Sequence, residues 1–458
     1  MVDGRLQNIA AQIDAAGGRA LFVGGIVRDR LRGLPDADKD VDVEVYGLGL
    51  NALERILAKS GPVITIGRTF GVLRVKGLDA DFSLPRKDNK VGQGHRGFAV
   101  LCDENLDFPE AARRRDLTIN SMAWDPLTHE LIDPYGGARD IQDGILRATD
   151  PRHFGEDPLR ALRVAQFAAR FDMQPDAELK DLCAQLDLSE LSPERIYGEF
   201  CKLLLKGQRP SVGLLFLQQS GLLRFFPEMA ALVDVPQDPE WHPEGDVWIH
   251  TLMVIDEAAK LRRGDDEDLT LMFGALCHDF GKPHTTIHVK ERIRSPAHDK
   301  RGVVPTEAFL GAMRAPHHLV QQVGALVAHH LAPALFVKNG TAARGYRRLA
   351  RKLQIADVSL ELLVRVARAD HFGRTTPEAL ARRFPAGETF LQTARELTVE
   401  HSGPVDVVLG RHLIARGLTP GPHFARLLER SREIQDETGW QDPQRILDAV
   451  LNEGHHDA

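Results

Sequence analysis

Acidic and apolar residues alternate without a break in Asp40-Val41-Asp42-Val43-Glu44-Val45. In a strand, successive side chains point to opposite faces. The valines can therefore enter a core while the carboxylates gather on the other side. Like charges that close repel unless a cation sits between them. An Asp-x-Asp pair suits Mg²⁺ held against phosphate, although the pattern also fits an amphipathic strand with a solvated acidic face. Upstream, Leu21-Phe22-Val23 reads as a strand, Gly24-Gly25 as a turn, and Ile26 to Arg32 as a helix closed by Gly33. Two glycines there let backbone approach a ligand closely, and the helix N-terminus favours an anion. Phosphate and metal would then meet at one edge of one sheet.

A second set of residues with chemical potential lies downstream. His250 precedes His278-Asp279, and then come His298-Asp299, His329-His330 and Asp370. A lone histidine is usually structural. An ordered series of histidines and carboxylates on helices suits divalent transition metals.

The elements that must position these groups differ along the chain. Residues to about Asp150 mix short strands, Gly/Pro turns and a few helices. From Asp157 to Phe226 the spacing of Leu159, Leu162, Phe167 and Phe171 is helical. Asp234 to Gly245 reads as a linker, His250 to Arg374 as a second helical block, Thr375 to Ala386 as a connection, and the remainder as helical. This predicts an α+β fold, with a mixed head bearing a small sheet followed by all-helical regions. Arg86 to Gly97, with three glycines and mixed charge, predicts a mobile loop.

The 458 residues allow two to four domains. No apolar run reaches membrane-spanning length and no signal-peptide pattern is present, so a cytoplasmic protein without a membrane role is expected. The four cysteines form no Cys-x-x-Cys pair, which excludes a zinc ribbon or disulfide framework. A net charge of −7 argues against indiscriminate nucleic-acid binding, leaving local patches to meet phosphates: Arg113-Arg114-Arg115, the trio Arg160, Arg163 and Arg170, and Arg344 to Lys352. Each also fits a solvated helix face.

Five motifs occur in one order. Gly24-Gly25-Ile26-Val27-Arg28-Asp29 leads to Lys39-Asp40-Val41-Asp42. Arg114-Arg115-Asp116-Leu117-Thr118-Ile119-Asn120 follows, then Asp133-Pro134-Tyr135-Gly136-Gly137, Glu156-Asp157-Pro158-Leu159-Arg160, and Glu194-Arg195-Ile196 with Glu199. Together they resemble the class II tRNA nucleotidyltransferases, the CCA-adding enzymes, with bacterial poly(A) polymerases as close relatives. The histidine series resembles the HD phosphohydrolase superfamily, and His242-Pro243-Glu244-Gly245-Asp246 before it looks like the HD-bearing branch of the CCA-adding enzymes.

The resemblance implies a nucleotidyltransferase head over 1–150, a neck over 151–233, an HD domain over 246–374 and a tail over 387–458. It implies transfer from CTP and ATP to tRNA, with Asp40 and Asp42 as Mg²⁺ ligands. Asp81 is the candidate third carboxylate, and Asp79, on the same strand face, competes with it. Gly24, Gly25, Arg28, Arg115, Asp116, Asn120 and Arg163 would hold the nucleotide's sugar and phosphates. Asp157 and Arg160, placed at i and i+3 of a helix, would read the incoming base, and the same spacing permits an intrahelical salt bridge. His250, His278, Asp279 and Asp370 would hold a transition metal, with His298 and His330 at a second position and His329 as the alternative to His330. Hydrolysis of 2′,3′-cyclic phosphates, 2′-phosphates or related esters is implied there. A poly(A) polymerase, a CC- or A-only adder, or a phosphohydrolase whose head merely binds nucleotide are the competing readings. Ile66 to Gly71 lacks the His-Val ending typical of bacterial poly(A) polymerases, and no strongly basic tail is present; both favour tRNA addition.

Overall fold

The computed structural model describes residues 4–34, 41–66, 71–90 and 98–453. Backbone contacts divide the chain into two compact units, Met1–Leu203 with Gly207–Phe225, and Leu204–Lys206 with Phe226–Ala458. The expected head and most of the expected neck share the first, and the expected HD and tail regions share the second.

In the first unit, strands β1 (Arg19–Val23), β2 (Val41–Tyr46), β3 (Val63–Ile66), β4 (Val72–Val75) and β5 (Ala80–Ser83) precede a separate ribbon of β6 (Arg86–Lys90) and β7 (Phe98–Cys102). Two short strands, β8 (Ala123–Trp124) and β9 (Leu131–Ile132), complete a seven-stranded sheet of order β3-β4-β5-β2-β1-β8-β9. The β2–β5 pair is parallel, and the other pairs of this sheet are antiparallel. The segment expected to be a loop after Pro85 therefore begins as a strand, Arg86–Lys90, paired with Phe98–Cys102 beyond it, while residues 91–97 lie outside the described residues.

Alternation along β2 sorts its side chains as its sequence demands. Val43 and Val45 are buried against Phe22, Phe82, Ile9, Ile13 and Leu53. The opposite face bears Leu21 and Val23, which meet Phe108 and Ala112. Asp42 and Glu44 lie on that same face, in register with Val23 and Leu21. The alternative of a solvated acidic face is not what forms: Asp42 is exposed, but Glu44 is buried beneath the segment after Phe108.

The helix Leu159–Phe171 buries Leu162, Phe167 and Phe171 and crosses the helix Pro210–Gln219. Gly213 permits that crossing, since a Cβ there would lie 2.3 Å from Ala165 O and 3.0 Å from Leu203 Cδ1.

The second unit is helical apart from one hairpin, Ile287–Val289 with Arg292–Arg294. Helices Val247–Lys260, Asp268–Cys277, His317–His329 and Leu360–Phe372 pack on one another. The first begins where the Asp246 carboxylate accepts a hydrogen bond from Ile249 N (2.8 Å), the last where Ser359 does so from Leu362 N (2.9 Å). His317–Lys338 is long and apolar enough to cross a membrane by length and composition, which corrects the expectation that no run reaches that length. Its Leu319, Val323, Leu326 and Val327 are buried inside this unit, so it serves as a core helix. The basic run Arg344 to Lys352 is spent largely on internal pairs. Arg351 reaches Asp406 and Asp436, Arg347 donates to Asp436 O, and Arg344 and Arg348 face Glu437.

Gly213→Ala forces these two helices apart and is expected to lower unfolding stability by about 1–3 kcal/mol. Calorimetric melting checks this, and an unchanged melting temperature would contradict the close crossing.

Candidate functional sites

The head site begins at the glycine turn between β1 and the helix Gly25–Leu31. Gly24 adopts φ 71° and ψ −130°, a conformation essentially reserved for glycine. A Cβ there would lie 3.3 Å from Arg115 Nη1 and 3.8 Å from Asp42 Oδ2, so the turn, Arg115 and the Asp42 carboxylate converge. Asp81 on β5 stands directly opposite Asp42 on parallel β2. Its carboxylate is gripped by Arg74 at 2.6 and 2.8 Å. Asp79 precedes β5, is exposed, and its carbonyl accepts from Val41 N, so Asp81 and not Asp79 stands in register with Asp42. Asp40 lies outside the described residues. Asp42 and Asp81 are cross-strand neighbours whose carboxylates are the hard oxygen donors that suit Mg²⁺, with both Asp81 oxygens paired to Arg74.

Glu44, two residues beyond Asp42, holds this site from behind. It accepts from Arg115 at 2.8 Å, Arg114 at 3.3 Å and the Tyr46 hydroxyl at 2.8 Å. Burial alone would raise its pKa, but the Arg115 and Arg114 guanidiniums hold it below the usual carboxylate value. Arg115 is thereby aimed at the glycine turn.

A buried network continues from there. Asp116 accepts from Leu117 N (2.8 Å), Asn120 Nδ2 (2.9 Å) and Arg163 Nε (2.6 Å). Asn120 Oδ1 accepts in turn from Arg28 Nη1 at 2.5 Å. Arg28 also donates to Asp29 at 2.8 Å, with its guanidinium 4.7 Å from the Phe171 ring centroid. Burial opposes ionisation of Asp116, yet Arg163 and Asn120 keep its pKa low. Arg28, Asp116 and Asn120 are thus interior members of a scaffold, whereas Arg115 and Arg163 are partly exposed.

Asp157 is not helical as its spacing with Arg160 suggested. It sits in the turn before Leu159–Phe171, accepting from Leu159 N through Oδ1. The pair forms no intrahelical salt bridge. Arg160 donates to His153 O and Arg114 O, both at 2.7 Å, while Asp157 Oδ2 accepts from Arg195 Nη2 at 2.7 Å. Each of the two side chains is fixed by different partners.

In the second unit, His278, His298 and His330 each place Nδ1 2.8 Å from the carbonyl three residues earlier, at Ala275, Ser295 and Val327. Donation from Nδ1 fixes the tautomer and turns each Nε2 lone pair inward. His278 Nε2 lies 3.2 Å from Asp279 Oδ2 and 3.3 Å from His250 Nε2, and His298 Nε2 lies 3.4 Å from Asp279 Oδ1. Such spacings match the roughly 3.0–3.4 Å between donors around an ion with bonds near 2.1 Å. Three groups of donors close enough to share a metal ion result among the described residues, His242–Glu244–His250, His250–His278–Asp279 and Asp279–His298–His330, with His250 common to the first two and Asp279 to the last two.

The polar atoms here fit a cation. Both Asp279 oxygens and His330 Nε2 are buried without a hydrogen-bond partner. Lys282 Nζ is 2.7 Å from Asp279 Oδ2, close enough for charge attraction but not aligned as a hydrogen bond. Burial, aided by His298 and His278, pushes the His330 pKa down to about 3, leaving the neutral imidazole that a metal requires. His329 lies outside the cluster beside Lys300, so the pair resolves to His330. Asp370 stands 3.1 Å from His250 Nε2 but is shared with Arg374 at 2.9 Å, at the cluster's edge.

Several members escaped the sequence reading. Glu244 lies 2.8 Å from His250 Nδ1, close enough for charge attraction but not aligned as a hydrogen bond, and His242 pairs with it at 2.9 Å. Both come from the segment expected to be a linker. Lys282 at three residues from Asp279, and Arg374 at four from Asp370, had helical spacing as their only signal.

Comparisons with known proteins bear on the domains that carry these residues. The model described as the poly A polymerase head domain matches residues 20–147. The model described as a probable RNA and SrmB-binding site of polymerase A matches 177–232, and the HD domain matches 247–361. A multifunctional CCA protein of Xanthomonas campestris pv. campestris is 34% identical over 427 residues, covering 90% of this chain and 96% of the relative. Another, from Stenotrophomonas maltophilia, is 39% identical over 318 residues, covering 68% and 75%. The fold resembles the CCA-adding enzyme of Bacillus stearothermophilus in complex with CTP, with TM-score 0.65, 20% identity and coverage of 99% and 97%. The Thermotoga maritima CCA-adding enzyme complexed with tRNA gives TM-score 0.60, 18% identity and coverage of 99% and 96%.

A Cβ on Gly281 would lie 2.0 Å from His298 O and 2.6 Å from Gly302 N. Gly281→Ala should therefore displace His298 and weaken metal binding about 10- to 100-fold. Calorimetric titration of the metal-free protein with Mn²⁺ measures this, and undiminished affinity would remove His298 from the ligand set.

Proposed function

The chain belongs to the family of multifunctional CCA proteins, and from that premise we propose that it builds or repairs the 3′-CCA end of tRNA from CTP and ATP. It is a tRNA nucleotidyltransferase with an HD domain, and both kinds of domain use divalent metals. The observation that carries the reading is the pairing in register of Asp42 and Asp81 at the Gly24-Gly25 turn.

In this reading Asp42, with Asp40, holds Mg²⁺. When bound, the ions stabilise charge at the α-phosphate and lower the pKa of the attacking hydroxyl. Asp81 shares a metal or accepts the proton of the tRNA 3′-hydroxyl. Arg115 meets the triphosphate beside the glycine turn, where the backbone can approach it closely. Asp157 and Arg160 offer a carboxylate and a guanidinium to the Watson–Crick edge of the incoming base. Their separate anchors, Arg195 for one and two carbonyls for the other, limit reorganisation when the base arrives. Asn120 and Asp116 hold this frame from inside, and Arg28 and Arg163 complete it.

The HD region is assigned hydrolysis of 2′,3′-cyclic or 2′-phosphate esters. His250, His278, Asp279, His298 and His330 would hold its transition metals, with Asp370 joining if Arg374 releases it. Lys282 and Arg374 supply positive charge for the phosphate. A cytoplasmic site of action is part of the proposal. It is supported by Cys183, Cys201 and Cys277, each a free thiol.

Asp42→Asn is expected to lower nucleotide incorporation into tRNA at least about a hundredfold while leaving phosphoester hydrolysis intact. His278→Ala should do the reverse. Full incorporation by Asp42→Asn would refute the head mechanism. Loss of both activities in either variant would refute the division of labour.

A further inference from the structure

Trp241 takes no part in the chemistry assigned so far. Its side chain is unusually open, with the residue 53% exposed. The other three tryptophans are accounted for: Trp248 is buried, Trp124 lies 4.6 Å from the Arg30 guanidinium, and Trp440 lies 3.8 Å from that of Arg445. Among the described residues no ring or guanidinium stacks on Trp241. An exposed indole without a partner has a face to offer.

The backbone holding it is well tied. Trp241 N and His242 N both donate to Asp238 O, at 3.1 and 2.9 Å. Gln237 accepts from Lys282 Nζ at 2.6 Å and donates to Gly245 O at 3.2 Å. Glu240 pairs with Arg292 of the hairpin. The ring is therefore presented by a turn anchored on three sides.

Trp241 lines a cavity of about 240 Å³ that also contains Asp279, His298, His330, Lys282 and Arg374. Metal-holding groups and two cations thus occupy the same cavity as the indole. The volume is below the roughly 300–1,000 Å³ that encloses a whole organic ligand. A phosphate and its sugar can enter, whereas a base attached to that sugar stays at the rim. Ile293 adds a half-buried apolar surface to the same wall.

We propose that Trp241 is the stacking platform for the base of a nucleoside phosphate ester whose phosphate lies on Lys282 and Arg374 at the histidine cluster. The inference rests on the phosphohydrolase reading in one respect, that this cavity takes a phosphate. It adds that the ligand must carry a flat aromatic ring, and it names a specificity-determining residue. Simple alkyl phosphates and inorganic phosphate gain nothing from the indole. The chemistry is shared by a free nucleotide and by the phosphorylated 3′ end of an RNA.

The test uses the full chain with Mn²⁺ and calorimetric titration of adenosine 2′-monophosphate, inorganic phosphate and a short RNA ending in a 3′-phosphate. Binding by the head is common to wild type and variant, so their difference reports on Trp241. Trp241→Ala should weaken the mononucleotide about 5- to 150-fold, the range for loss of one base–aromatic stack, and leave inorganic phosphate unchanged. Trp241→Phe should restore most of the loss. A loss for the mononucleotide and RNA alike supports a platform open to both sources; a loss for only one supports the proposal and identifies that source. Equal affinities in wild type and Trp241→Ala, or an equal drop for inorganic phosphate, would overturn it. If wild type retains no phosphate in the second unit, the phosphohydrolase reading falls as well.

Discussion

The first unit depends on the ionised carboxylate of Asp116, buried and fully engaged. It accepts from Leu117 N, Asn120 and Arg163 at once. A buried charge is tolerated only when paired and hydrogen-bonded, and removing one partner of such a pair costs about 3–5 kcal/mol. Asn120 passes the constraint to Arg28, and Arg28 to Asp29 and the Phe167 and Phe171 rings. The glycine-turn helix, the Thr118–Asn120 turn and the Leu159–Phe171 helix are therefore fixed by one chain of polar contacts. Asp42 and Asp81, at the N-terminal ends of the central strands β2 and β5, are thereby held in a set relation to Asp157 and Arg160 at the helix start. The proposed selection of a base without a template needs that relation to be rigid, because the side chains themselves would be the only template.

The two units meet the demands of metal chemistry differently. In the head, Asp42 remains exposed and Asp81 half-buried at the N-terminal ends of two central strands, which suits a hydrated cation arriving with a nucleotide. In the second unit the donors are buried, imidazole-rich and pre-turned by carbonyls three residues upstream. That spacing is a property of helix ends: a histidine closing a helical turn can return its Nδ1–H to the chain and project Nε2 outward. His278 and His330 both stand just after helices, Asp268–Cys277 and His317–His329.

Much of this was legible in the residues. The strand, turn and helix around Gly24-Gly25 formed as their pattern required, because apolar alternation and glycine conformation are local facts. His250, His278, Asp279, His298 and His330 converge as their order suggested. What the sequence hid was long-range. Glu44 looked like a third member of the acidic face, yet Arg114 and Arg115, seventy residues later, close over it. Asp157 and Arg160 looked like an intrahelical pair, yet Arg195 and two carbonyls claim them separately. The acidic, proline-rich stretch before His250 read as a linker because it has no periodicity. It is ordered through contacts with Lys282, Thr375 and His250, partners that no local pattern announces.

The central claim is that this scaffold makes a head that adds C, C and A in order and then stops. Incubating the protein with Mg²⁺, CTP and ATP and sequencing the ends of three tRNA transcripts, ending at the discriminator base, at C and at CC, tests it most directly. The account predicts that all three finish at CCA with no further residue. Arrest at CC, addition of A alone, long A tails or unextended transcripts would contradict it.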